Sequence, residues 1–324
     1  AAMAARTGLN KASVSNMVKD LMALAYGGEL GIDESLAEVG RPAINLQLNP
    51  DAGYIISAEI GVDFISIIAS NFAFEIVTRR YENRRNEAAQ EETFANFCNL
   101  LDDVYQQTYR RDRPIFGVAV SLPGLVDMRT GRLLVAPNLD WRDLPARERL
   151  QARFDVPVVV ANEANMAALG ESYFGVARKS RLLLYVSSGV GLGGGIVIDG
   201  QLLTGVSGLA GEFGHMTVDP QGALCRCGNY GCWETQATQV ALFRNIRAAI
   251  SGGSRSVLSQ YQDQLTMALV VDAANRGDAV AQAALHETAR WLGIGLANLA
   301  NTLNPEHVVL GGTLSVAHEW MTPV

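Results

Sequence analysis

The stretch from residue 214 to residue 234 constrains this chain more than any other, because it holds one of the four histidines and three of the four cysteines. His215, Cys225, Cys227 and Cys232 supply one imidazole and three thiols, and a closed tetrahedral zinc site needs four such ligands. Thiolates also favour zinc over magnesium and calcium, which prefer oxygen. Scattered core thiols or a disulfide are the alternative, but the clustering in sequence favours structural zinc.

The spacing of this stretch resembles the signature of the ROK family, which contains sugar kinases and sugar-responsive transcriptional repressors. The shared pattern is Gly-His, nine residues, and then Cys-x-Cys-Gly-x-x-Gly-Cys-x-Glu. Related motifs extend the resemblance from about residue 55 to the end of the sequence. The resemblance implies an α/β, actin-like (ribonuclease H-like), two-lobed sugar-kinase fold. It leaves open whether the chain is an enzyme or a DNA-binding regulator.

Composition excludes several classes of protein. A chain of 324 residues with 48% hydrophobic and 18% charged residues is typical of a globular protein with more than one domain. No apolar run approaches the roughly 20 residues of a membrane helix, and no signal peptide opens the sequence. Few cysteines, mostly in one cluster, indicate the cytoplasm. Because the net charge is −7, any contact with DNA must come from a local arrangement.

The first residues predict a helix-turn-helix. Gly8 suits a tight turn, and Asn10 can cap the helix that follows. Apolar residues then recur at helical spacing and predict one buried face, whereas short polar residues and lysines on the other face suit a helix in the major groove. The predicted buried face consists of Val14, Met17, Val18, Leu21 and Met22, and the DNA-binding candidates on the other face are Lys11, Ser13, Ser15, Asn16 and Lys19.

Residues 43–48 alternate in polarity and predict a strand, which would form a wing with an earlier strand. Arg41, between Gly40 and Pro42, could reach a minor groove or a phosphate. This pattern resembles the winged helix-turn-helix of ROK repressors, which have Gly-Arg-Pro in the same place, whereas ROK kinases generally start at the next strand. The usual first helix of the motif is expected to be missing from the sequence. A helical hairpin used for dimerisation is the alternative interpretation.

The next hairpin argues against ATP use. In ROK kinases it carries Asp-x-Gly-Gly-Thr-Lys, which holds the nucleotide phosphates. The aligned residues here are Glu59-Ile60-Gly61-Val62-Asp63-Phe64. Val62 adds a side chain where the backbone should approach phosphate, Asp63 adds an anion, and Phe64 replaces the cation. A carboxylate facing phosphates without a cation is repulsive unless a metal intervenes.

Two motifs of the body resemble sugar-binding segments of the family. Asn138, in Pro137-Asn138-Leu139, matches a residue that contacts sugar hydroxyls, although an asparagine that only stabilises a turn is the alternative. Asn162-Glu163-Ala164-Asn165 follows a buried strand and matches the kinase motif Asn-Asp-Ala-Asn, whose aspartate is the general base. Glu163 moves the carboxylate by about 1 Å, and a misplacement of that size can cost about 10²-fold in rate. Sugar binding tolerates this change better than catalysis does.

The remaining sugar ligands implied by the resemblance are Glu212, His215 and Glu234, with Asn162 and Glu163. His215 would then bind zinc through one ring nitrogen and face a hydroxyl with the other. The glycine run at residues 189–195 resembles a second phosphate loop of the kinases, but a sharp turn between paired strands is the favoured interpretation. Cys98 is predicted to be a small core residue.

The sequence therefore predicts a sugar-responsive ROK transcriptional repressor of the xylose-repressor type. It would bind operator DNA as a homodimer or a dimer of dimers, respond to a xylose-like or glucose-like monosaccharide, and have no membrane contact. The hypothesis is that sugar closes the cleft between lobes and changes the spacing of the DNA-reading helices. A ROK sugar kinase with an extra domain is the main alternative, and a scaffold that binds neither DNA nor sugar is a third. The predicted domains are a winged helix-turn-helix at residues 1–50, a small lobe at 51–135, and a large lobe at 136–324 with the zinc motif and sugar site.

Overall fold

The computed structural model describes residues 2–32, 44–84 and 89–322. Two compact units divide the chain, and each is built from two separate segments. The three-domain division at residues 50 and 135 stays a prediction. No helix in the described ranges is both long and apolar enough to cross a membrane. The first unit contains Ala1–Val120 and Arg147–Val159, and the second contains Ser121–Ala146 and Val160–Val324.

The first unit begins with two helices and a two-stranded antiparallel sheet, the arrangement predicted for a winged helix-turn-helix. Gly8, between the helices, has φ +70°, a left-handed conformation that glycine adopts readily. Asn10 caps the second helix, since its side-chain oxygen accepts a hydrogen bond from the Ser13 amide at 2.8 Å. The wing tip with Arg41 lies outside the described residues. The elements are α1 (Ala2–Thr7), α2 (Lys11–Ala23), β1 (Gly27–Ile32) and β2 (Ile44–Leu48).

The predicted buried face of α2 is wrong. Val14, Val18 and Met22 are half-buried, whereas Met17 and Leu21 are 53% and 48% exposed. Helix α2 packs on α1 and β1, and these short elements cover only one edge of its apolar stripe. Helical periodicity identifies the stripe, but the packing partners decide how much of it is removed from water.

A five-stranded sheet with the order β10-β6-β3-β4-β5 follows. Strands β3 and β4 form the predicted antiparallel hairpin, in which every second residue of β4 is buried. Helix α3 contributes Phe94, Phe97 and Leu101, which are fully buried, and the predicted core residue Cys98 is buried beside them. The elements are β3 (Tyr54–Ile60), β4 (Phe64–Asn71), β5 (Ile76–Asn83), α3 (Gln90–Thr108), β6 (Ile115–Leu122), α4 (Ala146–Gln151) and β10 (Val158–Asn162).

The second unit contains a four-stranded sheet with the order β13-β12-β11-β14 and a three-stranded antiparallel sheet, β7-β8-β9. Strands β11 and β12 form an antiparallel hairpin, and β14 runs parallel to β11. The strands are β7 (Leu125–Asp127), β8 (Arg132–Ala136), β9 (Trp141–Leu144), β11 (Leu182–Ser188), β12 (Leu192–Ile198), β13 (Gln201–Leu202) and β14 (His307–Gly311). The helices are α5 (Glu163–Tyr173), α6 (Gln239–Ser251), α7 (Met267–Asn275), α8 (Ala279–Leu303) and α9 (His318–Met321).

The core of the second unit holds the loop that carries the cysteines. Trp233 follows Cys232 directly and is fully buried. Its ring lies against Gly295 of α8, where no room is left for a Cβ, and its Nε1 donates a hydrogen bond to the Trp291 carbonyl oxygen at 2.8 Å. Through its contacts with Trp233, the long helix α8 therefore helps to position Cys232 and Glu234, which flank that residue.

Candidate functional site

His215, Cys225, Cys227 and Cys232 come together in the second unit, and their ligand atoms all lie within 4.8 Å of one another. The sulfurs of Cys227 and Cys232 are 3.6 Å apart, and the Cys225 sulfur lies 3.7 Å from His215 Nδ1. Two sulfurs on a tetrahedral metal, with bonds of about 2.3 Å, would be about 3.8 Å apart. The predicted cluster is therefore present, and it could hold a metal ion.

Tight turns bring these sulfurs together. Gly228 and Gly231 have φ of +93° and +63°, which residues with a side chain rarely adopt. Gly231 also lies against the Asp219 backbone, where a Cβ would not fit. The Cys225 amide donates a hydrogen bond to the Asn229 carbonyl oxygen at 2.8 Å and closes the turn. The glycines are therefore a geometric requirement of the cluster.

Ionisation of the Cys225 and Cys232 thiols is unfavourable without a cation nearby. Burial raises the pKa of the Cys225 and Cys232 thiols above the ordinary thiol value. Glu234 raises the pKa of Cys225 further, because its Oε1 accepts a hydrogen bond from the Cys225 sulfur at 2.9 Å. A bound metal would supply the positive charge that makes these thiolates favourable.

Glu212, His215 and Glu234 lie together beside the cluster. Glu234 Oε1 is 3.7 Å from His215 Nδ1. Burial raises the pKa of Glu212, His215 opposes this rise, and Glu234 adds to it. The effects of His215 and Glu234 on the pKa of Glu212 mean that the two carboxylates and the imidazole are near neighbours. Grouped carboxylates accept hydrogen bonds from the hydroxyls of a neutral polyol and repel anionic ligands.

Asn138 and Glu234 approach each other across Gly191, in the turn between β11 and β12. A Cβ built on Gly191 would lie 2.9 Å from Asn138 Nδ2 and 3.4 Å from Glu234 Oε2. On its other side, Asn138 Oδ1 accepts a hydrogen bond from Arg226 Nη1 at 3.0 Å. Neither Gly191 nor Arg226 was predicted to lie beside the sugar site, although Gly191 belongs to the glycine run at residues 189–195. The position of Arg226 between two cysteines was the one local signal available.

Asn162 caps helix α5 and orients Glu163. Its Oδ1 accepts hydrogen bonds from the amides of Ala164 and Asn165 at 2.9 and 3.1 Å. Its Nδ2 donates to the Gly124 carbonyl oxygen and to Glu163 Oε2, both at 2.9 Å. All the hydrogen-bonding positions of this buried amide are thus used within the protein. The contact of Asn162 with a sugar stays a prediction, and the structure gives Asn162 a positioning role.

The start of α5 lies close to the segment that carries Glu212. Cβ positions built on Gly193 and Gly211 would lie 3.2 Å from Ala164 Cβ and 3.6 Å from Asn165 Oδ1, respectively. Because Gly211 directly precedes Glu212, the predicted sugar ligands at the start of α5 and around the metal cluster belong to neighbouring segments of the second unit.

The charged groups around the hairpin between β3 and β4 include one that the local motif did not predict. The ring of Phe64 lies against Gly61 and stacks on Tyr81, with centroids 5.6 Å apart. Arg84 Nη1 donates a hydrogen bond to the Gly61 carbonyl oxygen at 3.3 Å. Burial lowers the pKa of this guanidinium, and the negative charge of Asp63 opposes that fall. Asp63 therefore has a cation, Arg84, close by, although Phe64 replaces the cation of the family motif. An arginine 21 residues along the chain is invisible to a local motif.

The DNA-binding candidates lie on the open side of α2. Ser13 is half-buried, and its amide is used in the cap, whereas the other described candidates are exposed. Their contact with DNA stays a prediction. The exposed candidates are Lys11, Ser15, Asn16 and Lys19.

Comparison with known proteins matches residues 55–324 to the ROK family. The xylose repressor of Caldicellulosiruptor bescii is 38% identical over 309 residues, which are 95% of this chain and 77% of that protein. A solved ROK family transcriptional regulator, a homologue of the E. coli MLC protein, has a TM-score of 0.83 at 29% identity. This match covers 99% of this chain and 80% of the regulator.

A solved ROK family glucokinase from Streptomyces griseus, in complex with glucose and AMPPNP, has a TM-score of 0.72 at 32% identity. This match covers 83% of this chain and 86% of the glucokinase. The two structural matches confirm the predicted fold class, an actin-like α/β fold preceded by a winged helix-turn-helix. The regulator matches nearly the whole chain, whereas the kinase leaves a sixth of it unmatched.

Proposed function

Because this chain belongs to the ROK family, we propose that it is a sugar-responsive transcriptional repressor that binds operator DNA through its winged helix. The similarity to a xylose repressor over 95% of the chain is the observation that carries this proposal. Helix α2, with Lys11, Ser13, Ser15, Asn16 and Lys19, would enter the major groove, and Arg41 would contact the minor groove or a phosphate. The protein would act in the cytoplasm, and a homodimer would suit an operator with two half-sites.

The metal in the His215 cluster is zinc in this proposal. One imidazole and three thiolates are a ligand set that zinc takes in closed, four-coordinate sites. The ion would hold the loop in shape and activate no water, because the protein supplies all four ligands. His215 would keep its second ring nitrogen for a sugar hydroxyl.

The effector site consists of Asn138, Asn162, Glu163, Glu212, His215 and Glu234. Carboxylates, amides and an imidazole suit a neutral polyol such as xylose or glucose, which donates and accepts several hydrogen bonds at once. Release of DNA requires that the sugar bind the DNA-incompetent state more tightly than the DNA-bound state. The domain division at residues 50 and 135 belongs to this proposal.

A ROK sugar kinase is the second candidate function, favoured by the glucokinase similarity and by the presence of Arg84 at the first hairpin. Two features weigh against catalysis. Phe64 packs on Gly61 where family kinases hold phosphate, and Glu163 replaces the aspartate that serves as general base. Binding to Mg-ATP in a thermal-shift experiment would favour the kinase.

Operator binding with and without sugars tests the proposed function. An operator is first selected from a random duplex DNA library, and its affinity is then measured by fluorescence anisotropy with D-xylose, D-glucose or N-acetylglucosamine. One of these sugars is expected to weaken operator binding by about tenfold or more, which corresponds to about 1.4 kcal/mol of coupling. Unchanged affinity with all three would contradict the proposal.

A further inference from the structure

Arg226 connects the metal-binding loop to the predicted sugar site. It lies between Cys225 and Cys227, and its Nη1 donates a hydrogen bond to Asn138 Oδ1 at 3.0 Å. The two residues are 88 positions apart in the sequence. Since both flanking cysteines belong to the metal cluster, a bound metal would fix the backbone on each side of Arg226.

The chemistry of arginine fixes the orientation of the Asn138 amide. A guanidinium group has donors and no acceptor, so only the amide oxygen can face it. Asn138 Nδ2 must then point away, towards Gly191, where a Cβ would lie 2.9 Å from Nδ2 and 3.4 Å from Glu234 Oε2. The opposite orientation would lose the hydrogen bond to Arg226 and turn a carbonyl oxygen towards a carboxylate.

This orientation places a donor and an acceptor side by side. The Asn138 amide can donate to a ligand oxygen, and Glu234 can accept the proton of the same group. A sugar hydroxyl does both at once, whereas an ether oxygen, a phosphate or a carboxylate does not. A side chain at position 191 would fill the space between the two groups, which explains a glycine there.

We propose that Arg226 is a positioning residue for sugar recognition, which holds the Asn138 amide as a donor so that Asn138 and Glu234 together bind one sugar hydroxyl. This inference rests on the proposed sugar-binding function. Arg226 acts through Asn138 and does not itself touch the sugar. Its effect on affinity should therefore disappear when Asn138 is absent.

A double-mutant cycle measured by calorimetry tests this inference. D-xylose, D-glucose and N-acetylglucosamine are titrated into the full chain as wild type, Arg226→Ala, Asn138→Ala and the double variant. The metal content of each sample is measured by mass spectrometry. Arg226→Ala is expected to raise the Kd of the bound sugar about tenfold, at 1.4 kcal/mol per factor of ten. The double variant is expected to match Asn138→Ala, because the effects are not additive in a shared interaction. Metal content should be equal in all four proteins.

Two further variants complete the test. Arg226→Lys keeps a donor and is expected to recover most of the lost affinity. Arg276→Ala removes a comparable exposed arginine, which pairs with Asp272 on α7, and should leave the Kd unchanged. Three outcomes would each overturn the positioning role. Arg226→Ala could bind the sugar with wild-type Kd, or it could lose its metal. In the double variant, the increases in Kd from the two single substitutions could multiply. No binding of D-xylose, D-glucose or N-acetylglucosamine by the wild type would overturn the proposed function itself, and the inference with it.

Discussion

Glu234 lies between the group formed by His215 and the three cysteines and the predicted sugar site. Its Oε1 accepts a hydrogen bond from the Cys225 sulfur at 2.9 Å and lies 3.7 Å from His215 Nδ1. Its Oε2 faces Asn138 across Gly191. A single carboxylate thus lies between a group of thiols and a group of predicted sugar ligands, so a change in the cysteine-bearing loop is expected to alter sugar affinity.

Glu59 gives a prediction about pH and stability. Burial raises its pKa, so the folded protein disfavours the charged form. The free energy of unfolding therefore falls as the pH rises from the unfolded pKa through the higher folded pKa. Glu59→Gln removes this cost, and it is expected to raise Tm by about 2 °C at pH 8 and by less towards pH 4.5.

Thermal melting between pH 4.5 and pH 8 checks the prediction for Glu59. Glu29→Gln is the matched control, because Glu29 is an exposed strand residue whose neutralisation should not change Tm in this way. A gain for Glu59→Gln that did not grow with pH would show that burial of the charge is not its cause.

At the scale of elements, an aromatic cluster connects the winged helix to the sheet of the first unit. The ring of Tyr26 lies 5.3 Å from that of Phe72 and 5.7 Å from that of Phe116, and the two phenylalanine rings are 5.2 Å apart. The Asn49 amide also donates a hydrogen bond to the Tyr26 carbonyl oxygen at 3.0 Å. This cluster restrains the predicted DNA-binding element against β6 and the turn after β4.

Tyr26→Ala is expected to weaken operator binding without affecting sugar binding. Aromatic pairs contribute about 0.5–1.5 kcal/mol beyond burial, so loss of the ring should raise the operator Kd about threefold to tenfold. Tyr26→Phe keeps the ring and should bind the operator normally. Anisotropy with the selected operator and calorimetry with the sugar measure the two affinities. An equal effect of Tyr26→Ala and Tyr26→Phe would rule out the ring as the restraint.

Two glycines of helix α8 have different surroundings, so substituting each with alanine distinguishes the effect of side-chain packing from the effect of helix propensity. Gly295 lies against the Trp233 ring, whereas a Cβ on Gly293 would meet no atom within 4 Å. Gly295→Ala is expected to lower stability by about 1–3 kcal/mol through overpacking and to weaken sugar binding, since Trp233 adjoins Glu234. Gly293→Ala should stabilise the helix by up to about 1 kcal/mol.

Denaturant unfolding and sugar calorimetry on both α8 variants test this pair. The stability should change in opposite directions, and only Gly295→Ala should alter the sugar Kd. A sugar affinity unaffected by Gly295→Ala would mean that Trp233 does not position Glu234.

Local sequence patterns predicted the secondary-structure elements more accurately than they predicted the contacts between those elements. The Asn10 cap, the β3–β4 hairpin and the His215 cluster depend on residues that are close in sequence, and the sequence contains those signals. The exposed edge of α2 and the Arg84 contact depend on what packs there from elsewhere in the chain. Periodicity and motif spacing carry no information about such partners.

At the scale of the whole molecule, a winged helix-turn-helix precedes a body that is similar to sugar kinases. Similarity to a regulator covers 99% of the chain, and similarity to a glucokinase covers 83%. Family resemblance therefore predicted the architecture from motifs alone. It did not predict the hydrogen bond between Arg226 and Asn138, because no motif spans the 88 residues between them.

The body is proposed to bind a sugar and to use it to control DNA binding instead of phosphorylating it. The most direct measurement follows labelled operator DNA by anisotropy and ADP release by a coupled absorbance assay in one sample with Mg-ATP and the sugar. The sugar is expected to release the DNA while ADP formation stays at background. Sugar-dependent ADP formation at about 1 s⁻¹ or faster, a rate ordinary for enzymes, with DNA binding unchanged, would contradict this proposal.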